Sequence, residues 1–341
     1  IVLHILGQGG ILESLVPLSA KFNIAWLLEI AAYCAVDCYA LVTGYVGVKS
    51  DFKLSRMLVL WLQVVFYTLL ITIAFKIVNP GAITAIAFVR ALLPVVTNQY
   101  WYFTSYFGLF FLIPFLNALV SALDKRSFKL LLMTLFMLFS VIPTVTPIDI
   151  FRIHGGYSLI WLAVLYFIGA YIRLYGLFGE RKRAFYIITY LISVGCVWIS
   201  KLVLTYLGYS SNVLVDYTSP FIVSAAVSLL LLFSGMNITK RIARTLIGFF
   251  EPTAFSVYLI HSHPLIWNRV LYLKFVSLAS FTPLAIAALV LAAAAGIFIS
   301  CSLADRLRIT LFKALRISSV AGKLDAKLHL KPFAGIHNDR K

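Results

Sequence analysis

Long runs of apolar residues constrain this chain most, because they recur along almost its whole length. Several of them exceed 18 residues, and the alternation of apolar and polar residues typical of strands is absent. A helix that crosses a bilayer needs about 20 apolar residues. The sequence therefore predicts an all-α fold, a polytopic bundle of about ten transmembrane helices. The predicted spans are 1–7 (cut short at its start), 24–48, 56–78, 99–122, 127–144, 156–175, 184–207, 218–236, 250–273 and 281–304.

The composition excludes a water-soluble globular protein. Of the 341 residues, 62% are hydrophobic and 12% are charged, and the mean hydropathy is +0.98. Soluble domains are about half apolar and a quarter charged. The spans leave only short loops, so we expect one transmembrane domain over 1–304 and a basic cytoplasmic tail over 305–341, with any chemistry in or beside the bilayer. We also expect the natural chain to continue before Ile1.

The positive charge follows the predicted topology. The net charge is +17, and 22 of the 29 Lys and Arg residues fall in alternate loops and in the tail. Loops rich in Lys and Arg lie on the cytoplasmic side of membranes, which places both termini inside. This distribution accounts for the charge without a nucleic-acid partner. The predicted cytoplasmic segments are 49–56, 124–129, 173–183, 240–244 and 305–341.

Two stretches outside the spans also have an expected structure. Residues 82–96 are moderately apolar and contain Arg90 and Pro94, which predicts an interfacial or re-entrant piece on the outer side. In the tail, cations such as Arg306 and Arg308 alternate with apolar residues, so this part could lie on the anionic inner leaflet. The last twenty residues are expected to be disordered.

Ionisable residues inside apolar spans require an explanation, because each costs at least ~2.5 kcal/mol at the centre of a membrane helix. Asp37 and Glu29 share the second predicted span, and His4 lies near the outer end of the first, just before a glycine-rich run. Asp37 either makes a hydrogen bond between helices or serves function. His4 is either a packing histidine or a catalytic one.

The ninth predicted span contains His261 and His263, followed by Pro264. Two residues this close point to different faces of a helix, and no third or fourth ligand is evident. The four cysteines are dispersed in apolar runs and form no CxxC pair. The sequence therefore predicts no metal site and no disulfide framework.

Five short motifs occur in a fixed order along the spans. Together they resemble the membrane-bound acyltransferase family 3, the multi-span O-acyltransferases that acetylate cell-surface carbohydrates. Two departures are mild, Ala40 in place of an aromatic residue and Thr43 in place of Ser. The Arg-x-x-Arg pair matches only in part, because either Lys53 replaces the first Arg or Val59 replaces the second. The family's first-span arginine would precede Ile1. The motifs are His4 before a loop, Asp37 to Thr43-Gly44-Tyr45, Lys53-Leu-Ser-Arg56, Tyr100-Trp101-Tyr102 with Pro114 and Asn117, and Phe255 to Tyr258 and His261.

The resemblance implies a reaction and a set of site residues. An alcohol needs a base to become a nucleophile, and histidine suits neutral pH; His4 would be that base, with Asp37 beside it in the catalytic set. The donor would be acetyl-CoA, which arrives from the cytoplasm. Its phosphates require cations at the cytoplasmic end of the helix bundle, and Lys53 and Arg56 would supply them. Residues lining the acceptor cavity would be Tyr45, Trp101, Tyr258 and His261.

The same resemblance implies partners and a location. The partners are acyl-CoA, a carbohydrate acceptor and membrane lipids, and no cofactor is permanently bound. The resemblance does not imply a particular oligomeric state. The location is a plasma membrane, in a bacterium. Lys53 and Arg56 could instead be ordinary topology signals, and the aromatic cluster from Tyr100 to Tyr102 an interfacial anchor. A transporter or flippase of a lipid-linked glycan, or a non-catalytic membrane module, are the alternative functions.

Overall fold

The protein is mostly helical in the part of the chain that the computed structural model describes, residues 1–146, 149–179, 181–209 and 212–328. No β-strand occurs within these ranges, which confirms the all-α prediction. Short π-helical or 3₁₀ turns occur at His4–Gln8, Pro80–Ala82, Met137–Val141, His154–Gly156, Glu251–Thr253, Trp267–Leu271 and Val276–Ser280. The α-helices are α1 (Ile11–Ser14), α2 (Ala20–Tyr33), α3 (Ala35–Gly47), α4 (Leu54–Val78), α5 (Ala85–Leu92), α6 (Trp101–Ala122), α7 (Lys125–Phe136), α8 (Ile142–Val145), α9 (Leu159–Tyr175), α10 (Arg183–Tyr206), α11 (Pro220–Ser234), α12 (Arg241–Phe250), α13 (Ala254–His261), α14 (Pro264–Ile266), α15 (Pro283–Ala314) and α16 (Ile317–Leu328).

Six helical segments of the described chain are long and apolar enough to cross a membrane. Two further apolar helices, α9 and α11, are shorter. The protein is therefore a multi-pass membrane protein, whereas the count of ten spans and the side of each terminus stay predictions. The six segments are Ala20–Gly47, Leu54–Val78, Trp101–Ala122, Lys125–Val145, Arg183–Tyr206 and Pro283–Ala314.

The chain folds into two compact units. Unit 1 contains residues 1–14, 53–107 and 237–328. Unit 2 contains residues 15–52 and 108–236. Each unit is thus assembled from segments that are distant in sequence.

In unit 2, helices α3 and α9 approach so closely that their backbones touch. A side chain at Gly44 would overlap the carbonyl of Tyr166, and one at Gly169 would overlap the carbonyl of Leu41. Small residues allow this approach between membrane helices. The Gly44 of the second-span motif is therefore a packing residue.

The Asn of the fourth-span motif also holds helices together in unit 2. Asn117 donates from Nδ2 to the carbonyl of Gly47 (3.2 Å) and accepts at Oδ1 from the hydroxyl of Tyr166 (2.6 Å). One side chain of α6 thereby links α3 and α9. Such hydrogen bonds are the main polar contacts available between membrane helices.

In unit 1, buried hydrogen bonds connect α4 to its neighbours. Gln63 donates to the hydroxyl of Ser256 in α13 (2.5 Å), and Thr68 donates to the carbonyl of Ala91 in α5 (2.6 Å). The helix α5 lies within the stretch 82–96 that was expected to form a short piece between spans. Its placement on the outer side stays a prediction.

The tenth predicted span extends well beyond residue 304. Helix α15 runs without interruption to Ala314, and Asp305 is fully buried within unit 1. Asp305 forms an ion pair with Arg308 (2.7 Å) and accepts a hydrogen bond from Tyr67 (2.5 Å). The expectation that Arg308 lies on the leaflet surface is therefore wrong, since a buried carboxylate requires its charge. The boundary of the tail stays a prediction.

The tail contains more helix than expected. Helix α16 continues to Leu328, and the N–H of Ser55 at the start of α4 donates to Asp325 (3.0 Å). Disorder over the last twenty residues is thus not observed for 322–328, because this helix packs on α4. Residues 329–341 lie outside the described part of the chain.

The ninth predicted span is not one continuous helix, which corrects that expectation. Helix α13 ends at His261, α14 begins at Pro264, and a π-helical turn follows at Trp267–Leu271. Proline lacks the N–H that would continue the helix and restricts the residue before it to extended conformations. His263 accordingly has φ −60° and ψ 131°.

The predicted topology can be tested by labelling with a membrane-impermeant thiol reagent. Single cysteines would replace Ser277 and Ser127, which are both exposed, in a background without native cysteines. In intact cells we expect labelling at 277, in a predicted outer loop, and none at 127, in a predicted cytoplasmic loop. Permeabilised cells, where both should react, serve as the control. The reverse pattern would overturn the predicted orientation.

Candidate functional site

His4 begins a π-helical turn in unit 1. The N–H of Gly9 donates to the carbonyl of His4 (2.8 Å), which closes the wider turn. A side chain at Gly9 would overlap the carbonyl of Ile5, so only glycine fits there. Gly10 follows with φ +92°, a conformation that other residues rarely adopt. The glycine-rich run thus both ends this helix and shapes the turn that carries His4.

Backbone hydrogen bonds attach this turn to the end of the broken ninth segment. The N–H of Leu273 donates to the carbonyl of Gln8 (3.0 Å), and the N–H of Phe275 donates to the carbonyl of Gly9 (3.1 Å). A side chain at Gly10 would collide with those of Leu273 and Val276. The two segments therefore meet at a fixed register, although about 265 residues separate them in sequence.

The break in the ninth segment positions two histidines. His261 is the last residue of α13, and His263 caps α14 by accepting the N–H of Leu265 at Nδ1 (3.2 Å). Both histidines are buried. Because Pro264 prevents a continuous helix, the chain turns here and leaves His261 at a helix end rather than in the middle of a long helix.

The turn that carries His4 places its ring beside two rings of the ninth segment. The ring centroids of His4 and His261 are 4.9 Å apart, at an interplanar angle of 43°. Trp267 lies edge-on to His4, with the centroids 4.4 Å apart. His4, His261 and Trp267 together are called the histidine cluster below.

Hydrogen bonding assigns the tautomer of His261. Its Nδ1 lies 2.5 Å from the carbonyl of Val257, and a carbonyl only accepts, so Nδ1 carries the hydrogen. Neutral His261 then has a lone pair at Nε2. Among the described residues this Nε2 has no hydrogen-bond partner, and neither does the buried Nδ1 of His4. The histidine cluster thus contains ring nitrogens that are available for a substrate or a proton.

A set of tyrosines extends the site from the histidine cluster. The hydroxyl of buried Tyr100 donates to a carbonyl of α13 (2.8 Å), and its ring lies 5.7 Å from that of Tyr258. Tyr258 in turn lies 6.5 Å from His261 and 6.3 Å from Tyr102. Because Tyr100 is buried and hydrogen-bonded within the protein, its role is not that of an interfacial anchor. Trp101 contacts Tyr102 at 5.5 Å, at the edge of this set.

A family model described as an acyltransferase domain matches residues 1–304, almost the whole chain. The chain belongs to the acyltransferase 3 family. No curated protein and no solved structure matches it. The protein is therefore a membrane acyltransferase, which confirms the family resemblance and the enzyme class inferred from the sequence.

The structure of this acyltransferase 3 protein brings His4, His261, Tyr258 and Trp101 into unit 1, as parts of one site or its edge. The cations of the third motif lie in the same unit. Lys53 immediately precedes α4, Arg56 is in its first turn, and both are exposed.

Asp37 lies in unit 2 and has a structural contact. It is fully buried, and its Oδ1 accepts a hydrogen bond from Trp161 of α9 (3.2 Å). This is the interhelical hydrogen bond that the sequence left open as an alternative. Its Oδ2 has no partner within the described residues, so a catalytic role for Asp37 in the acyltransferase stays a prediction.

Tyr45 belongs to the same second-span motif as Asp37 and also lies in unit 2, where it interacts with a cation. Arg173 donates to its hydroxyl (3.3 Å) and lies over its ring, 5.1 Å from the centroid. Tyr45 lines a large pocket of unit 2, whereas the histidine cluster belongs to unit 1. Its assignment to the acceptor cavity stays a prediction.

Sequence reasoning missed Trp267, which contacts His4 more closely than any aromatic residue it named. Its signal is weak, because it is one aromatic residue in an apolar run, six positions after His261. The break at Pro264 was a better indication, since it shows where an apolar run cannot remain a straight helix.

Proposed function

We propose that this enzyme transfers an acyl group, most simply acetyl, from acyl-CoA to a hydroxyl of a carbohydrate at the outer face of a bacterial plasma membrane. His4 is the general base in this proposal. The observation that carries it is the pairing of His4 with His261, each with a buried ring nitrogen that lacks a hydrogen-bond partner among the described residues. A buried unpartnered polar atom costs ~1–3 kcal/mol, a cost that a bound hydroxyl would remove.

The proposed reaction needs only the two substrates and a base. His4 removes the hydroxyl proton as the oxygen attacks the thioester carbonyl. The bond between carbon and sulfur then breaks, and the proton passes from His4 to the departing thiolate, which leaves as free CoA. His261 is a positioning residue here, because its tautomer is fixed by Val257 and its Nε2 accepts a hydrogen bond from the hydroxyl or from protonated His4.

The start of α4 is the proposed donor phosphate site. Helix N-termini favour anions, and Lys53 and Arg56 add positive charge there. A carboxylate already binds at this helix start: Asp325 accepts the N–H of Ser55, and hydrogen bonds with Ser55 hold the pKa of Asp325 below its usual range. An anionic group is therefore compatible with this position.

The donor and the base are separated along the membrane normal in this proposal. Gln63 of α4 is hydrogen-bonded to Ser256 of α13. Arg56 lies seven residues before Gln63, and His261 lies five residues after Ser256. With the two helices parallel, as the predicted topology requires, the separation is roughly 18 Å at 1.5 Å per residue. The extended arm of the thioester would therefore have to cross part of the bilayer to reach the histidine cluster.

The half-buried Tyr102 and Tyr258, which lie beside the buried Tyr100, support a carbohydrate acceptor. Aromatic rings offer apolar faces for sugar rings, and hydroxyls at their edges offer hydrogen bonds. This set continues directly from the histidine cluster, so a sugar packed on it would present its hydroxyls to His4.

Release of free CoA by the purified protein in lipid vesicles tests the proposal. Acetyl-CoA and a panel of oligosaccharides would be supplied, and thiol formation followed together with the mass of the glycans. We expect thiol release that depends on an acceptor and a glycan gain of one acetyl group. Passage of a glycan without thiol release would instead support the flippase alternative. If neither thiol release nor glycan passage is detected, the result would support the non-catalytic module.

Replacing Arg56 with Ala should raise the KM for acetyl-CoA about tenfold or more. A charge-assisted contact to a phosphate contributes ~1.5–3 kcal/mol, and kcat should change little because Arg56 does not contact the reacting atoms. Steady-state kinetics at saturating acceptor would measure both. Arg244→Ala, which removes an exposed cation from another predicted cytoplasmic segment, is the matched control. An unchanged KM in correctly inserted Arg56→Ala protein would assign Arg56 to topology alone.

A further inference from the structure

Unit 2 contains a large groove that the proposed acyl transfer does not use. Its volume is about 1770 Å³, well above the 300–1000 Å³ typical of small-molecule sites. Helices α7, α9, α10 and α11 contribute its walls. Along α11 the lining runs from Pro220 to Gly235, a length of roughly 22 Å at 1.5 Å per residue.

Most of the groove is apolar. Leu132 and Met133 of α7 line it, together with Val223, Val227 and Leu231 of α11. The spacing of the three α11 residues, four positions apart, places them on one side of that helix. The groove therefore offers acyl chains a continuous apolar surface.

The hydroxyls on the same face of α11 are already engaged. Ser228 donates to the carbonyl of Ser224 (2.8 Å), and the hydroxyl of Ser224 accepts from Ser193 (3.0 Å). These groups do not create a polar site within the groove. A ligand with amide groups along its length, such as the arm of CoA, would find few partners here.

Cations concentrate at one end of the groove. Three lie in the first two turns of α7, one begins α10 and one lies in the loop before α10, and positive charge at a helix start opposes the helix dipole. Among the lining residues that the structure describes, Asp124 is the one carboxylate, and none of the cations forms an ion pair within 4.0 Å. The cations of this cationic end are Lys125, Arg126, Lys129, Arg181 and Arg183.

The cationic end lies at a membrane surface. Lys125 and Arg183 each begin an apolar segment long enough to cross the bilayer. Both lie in segments that the charge distribution assigns to the cytoplasm, where the leaflet is anionic. The groove thus has cations at the level of the headgroups and apolar walls at the level of the acyl chains.

From this arrangement we infer that the groove is a specific binding site for an anionic phospholipid. The lipid phosphate lies among the five cations, and the acyl chains follow α7 and α11 toward the membrane centre. Basic pockets between membrane helices on the cytoplasmic side bind anionic headgroups by this chemistry. This site is independent of the proposed acyl-transfer site, since it lies entirely within unit 2.

Native mass spectrometry of the purified full chain tests the inference. Dioleoyl phosphatidylglycerol and dioleoyl phosphatidylcholine, which have the same acyl chains, would be added in equal amounts. We expect at least tenfold preference for phosphatidylglycerol, lost in the triple variant Lys125→Gln, Arg126→Gln, Lys129→Gln. The matched control is Lys240→Gln, Arg241→Gln, Arg244→Gln, which removes the same charge from unit 1 and should keep the preference. If the triple variant Lys125→Gln, Arg126→Gln, Lys129→Gln binds phosphatidylglycerol with the same preference as the wild type, these cations do not select the lipid, and the proposal is overturned.

A second measurement uses only the wild-type protein and so remains decisive if the triple variant fails to fold. Phosphatidylglycerol with a photoreactive acyl chain would be crosslinked in vesicles and the modified peptides identified. We expect the crosslinks in α7 and α11. Crosslinks confined to helices that do not line the groove would overturn the proposal. Displacement of the crosslink by free CoA would also overturn it, since the groove would then be a nucleotide phosphate site.

Discussion

Replacing His4 with Ala should lower the rate of acyl transfer by about 10²- to 10⁴-fold, the usual cost of losing a general base. The loss should not be total, because Nε2 of His261 also lacks a hydrogen-bond partner among the described residues and could accept a proton in place of His4. The KM for acetyl-CoA should change little, since the proposed phosphate site is at the start of α4. Single-turnover release of CoA thiol by vesicle-reconstituted protein would measure the effect.

Two histidine variants make this experiment specific. His154→Ala removes an exposed histidine from a loop of unit 2 and should leave turnover unchanged. His261→Ala should lower kcat less than His4→Ala and alter its pH profile, because a positioning residue acts through the base. If His4→Ala retains more than about a tenth of the wild-type rate and His261→Ala does not, the base belongs to the ninth segment instead.

The helices themselves could be predicted from the sequence because their signal is local. An apolar run near 20 residues long, bounded by charged residues, predicts a membrane helix wherever it occurs, and α4, α6 and α10 match their predicted spans within two residues. The break at Pro264 is equally local, since proline alone ends the hydrogen-bond pattern. That this break leaves His261 at the end of α13, beside His4, is seen only in the structure.

The site depends on contacts that no local signal encodes. His4 and His261 are neighbours because the carbonyls of Gln8 and Gly9 accept N–H groups from a segment far along the chain. The sequence singled out both histidines as polar residues in apolar spans and gave them roles through a family resemblance, but neither observation provides the distance between them. The contact between Trp267 and His4 had no sequence signal of comparable strength.

Charges near helix ends were the least predictable feature. Asp305 and Arg308 follow an apolar run, so they resemble the start of a cytoplasmic tail. In the structure α15 continues through them, and the pair is buried against Tyr67. A hydropathy pattern records where apolar residues stop, whereas burial depends on which helix packs beside the polar turn.

Replacing Arg308 with Leu should therefore destabilise the protein by about 3–5 kcal/mol, because it leaves the buried carboxylate of Asp305 without a compensating charge. The expected fall in Tm is on the order of 10 °C. Thermal unfolding of detergent-solubilised protein, followed by tryptophan fluorescence, would measure it. Lys313→Leu, at an exposed position of the same helix, should change Tm by about 1 °C or less and is the matched control.

The double variant Asp305→Asn, Arg308→Leu decides whether the loss comes from the unpaired charge or from packing. A neutral pair of similar volume avoids the desolvation of both ions, and such replacements are often neutral or stabilising. Tyr67 would still donate to the amide oxygen of the new Asn, so the hydrogen bond to α4 is retained. We expect the double variant to recover most of the lost Tm. If it remains as unstable as Arg308→Leu alone, the guanidinium of Arg308 stabilises unit 1 through its packing, including its contact with the ring of Phe312, rather than through its charge.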